Sequence, residues 1–159
     1  MDSDREREIG IHLRTTQILV MALVLGSASF FAVVAILALT HAVGMPATGG
    51  LPLPALGCVL AALAVFSSFA VKSLLLHRAR KQAQGVDEAA SLLLPRYRVA
   101  HIVAGALCEG GALAVGIFVL VGGPGSLPWL AGGLISFLGF ALHFPTREKL
   151  DAFLAESRR

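Results

Sequence analysis

Apolar positions run along this chain in long unbroken stretches, not in the alternating patterns of soluble helices or strands. Between Arg14 and Lys72 there is no Asp, Glu, Lys or Arg, and between Arg98 and Arg147 there is one, Glu109. A helix that crosses a bilayer needs about 20 apolar residues, so each desert is long enough for two. Each is broken near its middle by a run of turn formers. In the first this is Gly44-Met45-Pro46-Ala47-Thr48-Gly49-Gly50-Leu51-Pro52, and in the second Gly122-Gly123-Pro124-Gly125-Ser126-Leu127-Pro128. Gly and Pro at that density end helices. The pattern predicts an all-α integral membrane protein with four spans at 18–43, 53–76, 99–121 and 129–144. It also predicts an amino-terminal tail at 1–17, an amphipathic carboxyl-terminal segment at 145–159 and a polar loop at 77–98, whose first part extends the second helix and whose second part forms a short interfacial helix ending before Pro95.

The flanks of the spans carry the charge. The tail holds Arg5, Arg7 and Arg14; the last turns of the second span and the loop that follows hold Lys72, Arg78, Arg80, Lys81, Arg96 and Arg98, counted together as the middle basic segment; the end of the chain holds Arg147, Lys149, Arg158 and Arg159. These are all 13 Lys and Arg residues, and the two Gly/Pro loops have none. With four spans every basic segment falls on one side, which the positive-inside rule makes cytoplasmic. The expectation is a multi-pass protein of the cytoplasmic or plasma membrane with both termini inside. The mixed charges of Asp2-Ser3-Asp4-Arg5-Glu6-Arg7-Glu8, followed by a long apolar run, do not read as a signal peptide.

Composition narrows the function classes. Of 159 residues, 56% are hydrophobic and 14% charged, with mean hydropathy +0.78. A soluble domain carries roughly a quarter charged residues, so soluble enzymes, disordered tails and disulfide scaffolds are excluded. The net charge of +3 follows from the topology bias and from contact with anionic headgroups; no basic, aromatic-rich motif points to nucleic acid. Cys58 and Cys108 lie inside spans and read as small packing residues. No Ser/His/Asp set, phosphate loop or carboxylate pair lies in the spans, so no enzyme activity is expected, and no cofactor. His101 and His143, near the same edge of two spans, could hold a haem or metal between them. That is the weaker alternative to ordinary interfacial histidines.

In lipid, helices associate through close contact of small residues. Ala100, Ala104, Cys108, Ala112 and Gly116 recur every four residues on the third span; Gly132, Ser136 and Gly139 form a similar stripe on the fourth; Ala22, Gly26, Ala28 and Ala32 lie on the first. These predict a tightly packed bundle or an oligomer interface. Trp129 and Tyr97 fall at opposite membrane edges, where aromatic anchors sit. In the carboxyl-terminal segment Thr146 can cap a helix on which Leu150, Phe153 and Leu154 share a face. That face is expected to lie on the membrane surface or against a partner.

Glu109 is the candidate functional residue. It is the eleventh residue of the span 99–121, about 15 Å deep at 1.5 Å per residue. An ionised carboxylate there costs at least ~2.5 kcal/mol. A carboxyl group that holds its proton, or one bonded inside the bundle, is expected. Its neighbours at three and four residues are Gly105, Ala106, Ala112 and Leu113, mostly small, which leaves room for another helix, a water or an ion. Ser27, Ser67 and Ser136 are hydroxyls at comparable depth that could support it. A drug-exporter reading also uses one membrane Glu, but needs aromatic rings around the cation, and only Phe30, Phe31 and Phe66 are candidates.

The stretch Ala106-Leu107-Cys108-Glu109-Gly110-Gly111-Ala112-Leu113-Ala114-Val115-Gly116 resembles the carboxylate helix of the proteolipid c subunit of rotary ATP synthases and vacuolar-type ATPases. Four spans in about 160 residues also resembles the vacuolar-type proteolipid. The resemblance is local. It implies that Glu109 binds a proton or small cation. The expected partners are the bilayer and either further copies of the chain or other subunits of a larger membrane complex. The alternative is a structural or accessory subunit without ion chemistry.

Overall fold

The computed structural model describes residues 2–40, 53–84 and 89–156. Those residues form five α-helices: α1 (Asp2–Leu39), α2 (Leu53–Ala83), α3 (Ala89–Gly122), α4 (Leu134–His143) and α5 (Arg147–Glu156). A 3₁₀ segment, Pro124–Gly133, leads into α4. Four stretches are long and apolar enough to cross a membrane: Glu6–Leu39, Leu53–Ala83, Ser91–Gly122 and Gly125–His143. The chain is thus an all-helical, multi-pass membrane protein. The Gly44–Pro52 break and residues 85–88 of the polar loop lie outside the described residues.

The helix α3 is the hub and touches every other helical element. In its most apolar window 44% of positions are buried, against 17% for α1, 11% for α2 and 28% for the fourth span. Lipid solvates apolar side chains as well as a protein core does, so outward-facing Leu and Ile carry no penalty there; Ile18, Leu25, Phe66 and Leu134 are all exposed. What drives burial on α3 is smallness. Ala100, Ala104, Cys108 and Ala112 are fully buried. Where α2 crosses, a Cβ on Gly57 would sit 3.1 Å from Val115 Cα, and one on Gly111 would sit 3.0 Å from Ala61 Cα. At both places backbone meets backbone, the close approach that small residues allow in lipid.

The fourth span is built in two halves. Gly123 adopts φ 78°, a left-handed turn natural to glycine, and reverses the chain after α3. Pro124 and Pro128 then leave the first ten residues as 3₁₀ helix, an unusually long run, before α4 continues regularly. Trp129 is in this first half, 43% exposed. The segment wedges against α1 and α2 because Gly133 abuts the Phe31 ring and Gly132 the Cys58 thiol. A side chain at either glycine would push it away.

At the basic end the structure departs from the sequence expectation in three ways. The predicted tail 1–17 is not separate, because α1 runs continuously from Asp2 and buries Ile9 and Leu13. In the polar loop α2 extends to Ala83 as expected, but the short helix expected to end before Pro95 does not end there: α3 begins at Ala89 and passes through Pro95. Pro95 is exposed. Its local preference is overridden because Leu93, Leu94 and Tyr97 on either side are locked into a cluster with Ile9, Leu13, Ala79, Ala83, Leu150, Phe153 and Leu154. Third, α5 docks within its own chain: Leu150, Phe153 and Leu154 complete that cluster. Thr146 caps α5 as its sequence suggests, its Oγ1 accepting from Lys149 N at 3.4 Å, and Gln17 ties the preceding turn to α1 through Pro145 O at 3.0 Å.

Candidate functional site

Glu109 lies in the middle third of α3, about 20 Å of helix from Gly122 at 1.5 Å per residue. It faces α1. One carboxyl oxygen is 3.5 Å from where a Cβ on Gly26 would be, so the carboxyl group rests on the bare backbone of α1. The neighbouring contact along this seam, Gly105 against Leu23, is also set by a glycine on one helix. Glu109 is half-buried, and Gly26, Ala106 and Gly110 around it are exposed. The carboxyl group makes no hydrogen bond or ion pair with the described residues.

The three serines fall in different places. Ser27, next to Gly26 in the chain, is fully buried and its hydroxyl has no partner among the described residues. Ser67 is exposed on α2, which packs on another face of α3. Ser136 is buried against Gly111, two residues and about 200° of helix rotation from Glu109; its hydroxyl is likewise unpartnered. The structure therefore brings Gly26 to Glu109, and leaves Ser67 and Ser136 on other sides of the hub. Gly139 packs on Cys108 and Val65, and Gly116 on Phe30, so these small residues seat bulky neighbours.

The two histidines are engaged separately. His143 Nε2 is 2.6 Å from Ser68 Oγ, and Ser68 donates its own proton to Val65 O at 2.6 Å. The imidazole must then donate through Nε2–H, since the hydroxyl has only one hydrogen to give. The Cys108 thiol points at the same hydroxyl from 3.8 Å. This Cys108–Ser68–His143 chain pins α2, α3 and α4 together just inside the basic end. His101 Nδ1 is 2.9 Å from Tyr97 O and must donate to it, leaving Nε2 buried and unpartnered. Both rings are within Coulombic reach of Lys72 and Lys149. Among the described residues no group of three or more His, Cys, Asp and Glu side chains could hold a metal ion.

From sequence Lys72 counts with the middle basic segment. It is a half-buried residue of α2, one helical turn beyond Ser68. The signal was available in the spacing, since Ala61, Val65, Ser68, Lys72, Leu76, Ala79 and Ala83 follow the three- and four-residue steps of one helix face. No family model, curated protein or solved structure matches this chain.

Proposed function

We propose that this chain is a small multi-pass membrane protein, with both termini cytoplasmic, whose Glu109 carboxyl takes up and releases a proton or a small cation at mid-membrane. The observation that carries this reading is a half-buried carboxyl group far from either end of its span, with no partner among the described residues. A purely structural glutamate earns its place by hydrogen-bonding between helices, and buried polar groups are nearly always so satisfied. Glu109 instead rests on Gly26, whose missing side chain leaves space beside the carboxyl oxygen. An ionised carboxylate at the bilayer centre costs several kcal/mol, and a cation, a water path or a counter-charge beside it offsets that cost.

The test pairs chemistry with substitution. A hydrophobic carbodiimide reacts with an accessible membrane carboxyl, so it should label Glu109 in lipid. In reconstituted vesicles Glu109→Gln should abolish any proton- or cation-linked flux while the protein stays folded. Flux equal to wild type in Glu109→Gln would remove this reading. A second reading, an accessory subunit in a larger complex, is favoured by the exposed small residues Gly26, Ala106 and Gly110 beside the carboxyl, where a neighbouring helix could approach and supply the missing partner. Under that reading Glu109→Gln weakens assembly and leaves no transport defect of its own.

A further inference from the structure

A second polar site lies at the basic end, far along α3 from Glu109. Between α2, α3 and α5 is a cavity of about 260 Å³, lined by Lys72, Arg80, Tyr97, His101, Lys149 and Glu156 among others. The charges in it are not balanced. Arg80 and Glu156 form an ion pair, which neutralises the one carboxylate. Lys149 donates to Leu142 O and Phe144 O, both at 2.9 Å, and so covers the end of α4 without meeting a carboxylate. Lys72 has no hydrogen bond or ion pair with the described residues. Two amine groups are therefore left without an anion among the described residues.

Three residues of the cavity wall also carry buried polar atoms that no described residue satisfies. Tyr97 is 3% exposed and its hydroxyl has no partner among the described residues; the same holds for Nε2 of His101, which is 1% exposed, and for the buried Arg80 Nε. A buried polar atom left without a partner is costly, so three on residues of one cavity call for a group that meets them. Tyr97 and Arg80 offer donors. His101, with Nδ1–H spent on Tyr97 O, offers an acceptor for a ligand O–H.

We propose that this cavity binds a phosphate-type anion. Lys72 and Lys149 supply the charge, the Tyr97 hydroxyl and Arg80 Nε donate to its oxygens, and His101 Nε2 meets its P–OH or an adjoining hydroxyl. The chemistry is shared by an anionic phospholipid headgroup and by free phosphate, and the site lies at the end of the bundle where headgroups of one leaflet gather.

The test is thermal melting of the purified full chain in nanodiscs. One arm adds inorganic phosphate against chloride at matched ionic strength; the other compares phosphatidylcholine discs with discs containing phosphatidylglycerol. A site that binds the anion in hundredfold excess over its Kd should raise the melting temperature by about 5–10 °C. A shift with phosphatidylglycerol alone assigns the headgroup, and a shift with phosphate assigns the free anion. Lys72→Gln and Tyr97→Phe should each lose most of the shift, Tyr97→Phe by removing one hydroxyl that bonds nothing else. Arg78→Gln, an exposed charge outside this cavity, should keep it. No shift in either arm would overturn the proposal. So would shifts in Lys72→Gln and Tyr97→Phe equal to wild type, or an equal loss in Arg78→Gln, which would mark diffuse surface attraction.

Discussion

Single side chains in this bundle are held by very different means. Glu109 rests on a glycine, whereas His143 is fixed by a short bond to Ser68. That difference predicts opposite mutant phenotypes. Ser68→Ala deletes the acceptor of the His143 Nε2–H in a dry site, and should destabilise the protein by about 1–3 kcal/mol, read as a lower melting temperature with no change in carbodiimide labelling of Glu109. Glu109→Gln removes no bond made among the described residues. Its melting temperature should stay close to wild type while labelling disappears. Gly26→Leu fills the space beside the carboxyl oxygen and should slow the labelling of Glu109. Glu109 stands out in the sequence because it is the one charged residue between Arg98 and Arg147. The separation of its supposed serine partners was not legible there, because depth along a helix says nothing of which neighbour lies on which side.

Among elements, the contrast is between helices that lipid accepts all round and the one that protein surrounds. The α2–α3 crossing depends on Gly57 and Gly111 meeting backbone directly. Gly111→Leu should force the helices apart; overpacking of this kind costs about 1–3 kcal/mol or more, measurable as a lower melting temperature and as loss of a cross-link between cysteines placed on α2 and α3. Sequence spacing marked the small-residue stripe on α3, since a four-residue repeat needs only one helix to be seen. The helix α5 is the opposite case. Its apolar face was equally visible, but whether it met a membrane, a partner or its own chain depended on where Ile9, Leu13 and Tyr97 were carried by other helices. Phe153→Ala should release it, at a cost of about 3–5 kcal/mol for a large buried aromatic, and make the peptide bonds near Thr146 sensitive to protease while the spans stay protected.

For the molecule as a whole, the proposed orientation gives a direct check. In a background lacking Cys58 and Cys108, a cysteine at Arg7 should react with a membrane-impermeant thiol reagent only from the cytoplasmic face, and one at Gly125 only from the opposite face. Labelling of both from one side would contradict the four-span topology. The amino-acid order alone determined the number of spans, the clustering of basic residues at one end and the exposure of the large apolar side chains, because these depend on local hydropathy and on charge counted along the chain. Tertiary structure alone decided which helix became the hub, that Pro95 stays within a helix, that Lys72 joins His101 at one cavity, and that Glu109 faces α1. Each of those outcomes rests on which surfaces of separate helices come to within a few ångströms of one another. In a chain so uniformly apolar, that choice is made by glycine-sized gaps and by a few polar groups seeking partners, and hydropathy does not distinguish between the alternatives.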